Sequence, residues 1–162
     1  MQTTKQRVKQ AGNYFFAGYN CAQAVAAAFT DVMELDEKTV LMLASSFGGG
    51  VGRLREICGA VSGMALVAGK LYGEIDPADD STKAAHYELV QKLATEFDRT
   101  HGSLICRDLL DKAETTPQPD KRTKEYYETR PCTALVEDAA RIMNEYLLAN
   151  PPVKRKRLHS TH

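Results

Sequence analysis

The stretch PCTALVEDAARIMNEYLLAN, Pro131–Asn150, decides the fold. Within it Cys132, Leu135, Val136, Ala139, Met143, Tyr146 and Leu147 recur at three- and four-residue intervals, the spacing that lines one face of an α-helix. Pro131 suits a first helical position, where its missing N–H costs no hydrogen bond. The two prolines after Asn150 stop the helix. Cys132 therefore falls in a first turn and faces inward.

The same period recurs upstream. A first helix is expected over Thr4–Ala17, with Val8, Ala11, Phe15 and Tyr14 inward and Gly18 closing it. Asn20 caps a second, in which Cys21, Ala24, Val25 and Ala28 share the buried stripe. A third runs from Asp36 to Phe47, ended by Gly48-Gly49-Gly50. The fourth, Glu56–Tyr72, is apolar on nearly every side and reads as the central buried helix. Its Gly59 and Gly63 share one face, where a second backbone or a cofactor can approach closely. A fifth covers Asp79–Thr100, packing through Ala84, Ala85, Leu89, Leu93 and Phe97. Ser103 caps a short sixth, Leu104–Lys112, with Cys106, Leu109 and Leu110 inward. Thr115–Arg130, with two prolines and many charges, reads as a long surface loop with a helical turn, or as a lid.

No run alternates apolar and polar residues as a half-buried strand does. The expected class is all-α, a single-domain helical bundle of about five to seven helices. The four-cysteine domain is expected over residues 1–149, and residues 150–162 form a disordered basic tail.

The chain of 162 residues carries 21 basic and 21 acidic side chains. Four of the basic groups, Lys154 to Arg157, lie in the tail, leaving 17 against 21 acidic in residues 1–149. That balance lacks the basic footprint of a nucleic-acid binder. The N-terminus shows no apolar signal core, and the most apolar run, Ile57–Gly69, is too short to cross a bilayer. A cytoplasmic protein with no membrane span is expected, its thiols kept reduced.

Cys21, Cys58, Cys106 and Cys132 form no CxxC pair, which removes zinc-knuckle, thioredoxin and c-type haem motifs. Taken singly, each is a small buried hydrophobe. Together they stand in or near first turns, where unsatisfied N–H groups favour thiolate over thiol. Thiolates so placed can ligate an iron–sulfur cluster or zinc, or exchange with disulfides.

Cys58-Gly59-Ala60-Val61-Ser62-Gly63 matches a CGAxxG motif, led by Gly48-Gly49-Gly50-Val51-Gly52-Arg53 and Glu56. With Cys21 upstream and Cys106 and Cys132 downstream, the chain resembles the C-GCAxxG-C-C family over about residues 14 to 146. The resemblance implies a small helical domain with a redox role.

Other motifs give less. Gly48–Gly52 lacks the Gly-Lys-Ser/Thr of a phosphate loop and reads as a flexible turn. Arg53 and Arg55 read first as a solvated pair, second as groups raising the thiolate fraction of Cys58. His101 reads as a surface histidine, with ligation beside Cys106 as the alternative, and Glu56 as a helix-start acid or a proton acceptor for Cys58. The expected function is redox or electron transfer by four convergent cysteines. They act either as ligands of an iron–sulfur cluster or by dithiol/disulfide exchange, with Cys58 as nucleophile and Cys21 or Cys132 resolving it. A zinc-binding structural or adaptor module and a helical interaction domain with merely buried cysteines are the alternatives. A redox partner protein is expected, and self-association is compatible with the composition.

Overall fold

A computed structural model describes residues 1–153. Among them nine α-helices follow in order: α1 (Thr4–Phe16), α2 (Cys21–Ala27), α3 (Thr30–Met33), α4 (Glu37–Ala44), α5 (Gly59–Tyr72), α6 (Asp80–His101), α7 (Cys106–Leu110), α8 (Lys124–Thr129) and α9 (Cys132–Ala149). A 3-10 turn, Ser45–Phe47, prolongs α4, and a single antiparallel bridge joins Ile57 to Ile105. The class is all-α, as expected. Each of the seven helices read from periodicity is present. The two additions, α3 and α8, are too short to display a period, and α8 lies inside the segment read as a loop with a helical turn. The expected disordered tail lies outside the described residues from Lys154 onward, and 151–153 carry no helix.

Capping residues set the starts. Thr3 and Gln6 form a capping box on α1, Asn20 and Gln23 another on α2, and Asp36 accepts from Thr39 N at 2.9 Å to open α4. Ser103 does not cap α7. Its hydroxyl accepts from Ile105 N at 3.0 Å, so the helix begins two residues beyond the expected start.

The fourth expected helix also starts late, at Gly59 rather than Glu56. Gly49, Gly50, Val51, Gly52 and Arg53 have φ between 56° and 72°, and Arg55 has φ 60°. This left-handed turn is one that a right-handed helix cannot pass through. The chain then extends through Ile57 into the bridge with Ile105 before α5 begins.

The core centres on the crossing of α2 and α5. Ala22, Ala24 and Val25 are buried on α2, and Gly59 and Gly63 face them from α5. A Cβ on Gly63 would stand 2.7 Å from Ala22 O, and one on Gly59 would stand 2.9 Å from Phe47 O. Only hydrogen side chains permit an approach this close. α1 packs chiefly on α9, and α6 covers α5 and α9 through Leu89, Leu93 and Phe97. Ala84 and Ala85, expected in that stripe, are exposed because they precede the part of α6 that reaches the core.

The inner stripe of α1 is Arg7, Ala11 and Phe15, with Val8 only half-buried. Arg7 has no exposed surface. It donates to Asn144 Oδ1 at 3.2 Å, Asp31 Oδ1 at 2.6 Å and the Ala28 carbonyl, and lies over the Phe29 ring. These partners satisfy a buried cation that would otherwise be costly, and they tie α1 to α3 and α9.

Candidate functional site

Four segments deliver the four thiols. Cys21 is the first residue of α2, Cys106 of α7 and Cys132 of α9, while Cys58 is the residue before α5. The α2–α5 crossing sets Cys21 beside Gly59. The bridge aligns the next two: Cys58 N donates to Leu104 O at 2.8 Å, and Cys106 N to Glu56 O at 2.6 Å. Gly50 makes room for Cys106, since a Cβ there would stand 2.6 Å from Cys106 Cβ. All four cysteines are unpaired and line one cavity of about 300 Å³. The structure thus gathers every cysteine singled out in the sequence.

Four arginines and one carboxylate complete the wall. Asp120 Oδ2 accepts from Arg130 Nη2 at 2.8 Å and Arg53 Nη1 at 2.9 Å, while Arg55 Nη2 stays at 3.9 Å. Arg55 is only 2% exposed. Its Nε donates to Glu114 O at 2.9 Å, its Nη1 lies 3.8 Å from Cys106 Sγ, and its Nη2 has no hydrogen-bond partner among the described residues. Arg122 donates to Phe15 O and Tyr19 O and lies over the Phe15 and Tyr126 rings. From the segment read as loop or lid, Pro117, Pro119, Asp120 and Tyr126 line the cavity.

The environment separates the thiols electrostatically. A hydrogen bond with Cys21 holds the Cys132 thiol below its ordinary value; burial opposes this, and Arg130, Arg122 and Arg55 assist it. The same bond, followed by burial and the charges of the other three cysteines, pushes Cys21 well up. Burial pushes Cys58 up to about 12, although the N–H groups of Ala60 and Val61 favour its thiolate. Burial raises Cys106 against the pull of Arg55. Tyr126, buried beside Cys132, is pushed up to about 12. Cys132 is thus the thiol whose ionisation the surroundings favour, and Cys21, Cys58 and Cys106 are those they oppose.

Several of the expected residues stand in other settings than their sequence neighbours suggest. Cys58, expected as the nucleophile, is 3% exposed, because Gly59 and Gly63 admit α2 rather than solvent. Gly59 borders the cavity, whereas Gly63 lies against Ala22. Arg55 is no solvated residue, and it acts on Cys106 rather than Cys58. Glu56 is exposed and pairs with Arg107, and His101 bonds Asp138 Oδ2 at 2.9 Å. Among the described residues, no group of three or more His, Cys, Asp or Glu side chains is arranged to hold a metal ion. No helix among the described residues is long and apolar enough to cross a membrane.

Asp120, Arg122, Tyr126 and Arg130 were missing from the sequence reading. Their one signal is a pair of tyrosines between Arg122 and Arg130, in the charged segment that follows Pro117 and Pro119. Among curated proteins and among solved structures, nothing matches the chain. A family model does match residues 19–146, and its description reads "Putative redox-active protein (C_GCAxxG_C_C)".

Proposed function

This chain belongs to the C_GCAxxG_C_C family, and from that premise we propose that it is a thiol–disulfide redox protein in which Cys132 attacks and Cys21 resolves. The observation that carries this reading is that Cys21 and Cys132 are the first residues of two helices in the wall of one cavity, in surroundings that lower the Cys132 thiol and raise that of Cys21. Two thiols on one cavity wall, one tending to the anion and one to the protonated form, supply the attacking and the resolving group of an exchange.

The Cys132 thiolate attacks one sulfur of a substrate disulfide. A Cys132–substrate bond forms, the substrate S–S bond breaks, and one substrate thiolate leaves. Cys132 is then neutral, so the negative charge that held the proton on Cys21 is gone. Cys21 gives that proton to the departing thiolate and attacks Cys132. The second substrate thiolate leaves and takes a proton from water. Two protein thiols lose two electrons and the substrate disulfide gains them. Cys58 and Cys106 remain thiols.

Treating the reduced protein with one equivalent of hydroxyethyl disulfide and mapping the peptides tests this. The expected product has lost two thiols and carries a Cys21–Cys132 link, with Cys58 and Cys106 still open to alkylation. A link through Cys58 or Cys106, or no loss of thiols, overturns it.

A further inference from the structure

We infer that the cavity is built for a small organic disulfide bearing carboxylates, rather than for the disulfide of a partner protein; this deepens the thiol–disulfide reading above and rests on it. Three observations carry the inference. The first is charge: Arg53, Arg55, Arg122 and Arg130 face a single wall carboxylate, Asp120, so the lining stays cationic even with one cysteine ionised. The second is an orphan donor. Among the described residues Arg55 Nη2 is buried without a hydrogen-bond acceptor, and an unmet guanidinium N–H in the wall of a cavity is a standing cost that an incoming oxygen relieves.

The third is an internal stand-in. Asp120 already lies across this arginine group, with Arg130 and Arg53 on one oxygen, which shows that the group's geometry accepts a carboxylate. Arg55 Nη2, beyond bonding range of that oxygen at 3.9 Å, is the donor left for a second carboxylate. Arg122 donates to Phe15 O and Tyr19 O and adds its charge to the wall.

Size narrows the class. The cavity measures about 300 Å³, at the lower end of ligand pockets. Cys58, Cys106 and Cys132 are 3%, 7% and 6% exposed at its inner wall, out of reach of a disulfide held on a folded surface. A short carboxylated disulfide fits the volume and the charge. One carboxylate goes to Arg55, and its sulfurs reach Cys132.

The test compares three disulfides on the reduced full-length protein: anionic dithiodipropionate, neutral hydroxyethyl disulfide and cationic cystamine. Each rate of Cys21–Cys132 formation is divided by the rate of the same disulfide with free mercaptoethanol, which removes intrinsic reactivity. The anionic reagent is expected to exceed the neutral one by about tenfold or more, the effect of one charge-assisted hydrogen bond, with the cationic reagent slowest. Arg55→Gln should erase most of that lead. Adipate, a dicarboxylate without sulfur, should slow oxidation of the unaltered protein by the neutral disulfide; this arm does not depend on the variant folding. Oxidation by all three at equal normalised rates, with no protection by adipate, overturns the inference and leaves the redox reading standing. Oxidation by none of them overturns both.

Discussion

Cys132 and Cys58 are chemically identical side chains at the starts of two long helices, yet their surroundings drive them apart. Three arginines and a thiol donor favour the anion on Cys132, while burial keeps Cys58 protonated up to about 12. Cys21→Ala removes the donor that contributes most to Cys132. The rate of Cys132 alkylation at neutral pH should then fall by about tenfold, the worth of one hydrogen bond to a charged sulfur, as read by mass spectrometry of the labelled peptide. The cysteines were legible in the sequence because cysteine is rare and helix starts have recognisable signals. Arg55 was not, because an arginine beside glycines looks solvated until its partners at Cys106 and Glu114, more than fifty residues away, are in place. Arg7 hid in the same way, occupying a core position that hydrophobic periodicity skips. Arg7→Ala should cost about 3 kcal/mol in urea unfolding, since Asn144 and the Ala28 carbonyl lose their donor.

At the scale of elements, the α2–α5 crossing fixes the distance between the Cys21 and Cys58 segments. Gly63→Ala would push a methyl into Ala22 O. It should destabilise the fold by about 1–3 kcal/mol, the usual range for overpacking, measured as a lower midpoint of chemical unfolding. A midpoint within error of the unaltered protein would mean that the helices can part without cost. Periodicity recovered all of the longer helices, since a repeat over several turns is a local property of the chain. It misplaced the start of α5 because the left-handed turn includes Val51, Arg53 and Arg55, residue types that do not advertise positive φ. The Ile57–Ile105 bridge, which aligns two of the cysteines, is a single pairing and has no pattern to read.

For the molecule as a whole, the segment 111–123 is held at the cavity by Arg55 on Glu114 O, by Arg53 on Thr116 O, and by the ion pairs of Arg53 and Arg130 with Asp120. Hydrogen bonds from Arg53, then Arg130, hold its carboxyl down to about 2 from an ordinary 3.8. A carboxyl lowered by folding stabilises the folded state above its ordinary value and loses that contribution as pH falls toward the folded value. About 2 kcal/mol should therefore disappear between pH 3.8 and about 2. Asp120→Asn should be less stable at neutral pH and show a flatter acid profile in the same unfolding measurement. The most direct test of the account is residue-resolved alkylation of the reduced protein across pH, with each of the four cysteines quantified separately. Cys132 should be labelled well ahead of the others at neutral pH, with Cys21 and Cys58 responding only as pH rises far above it. Equal labelling of all four, or Cys58 reacting first, would contradict a site in which the gathered charges single out one sulfur.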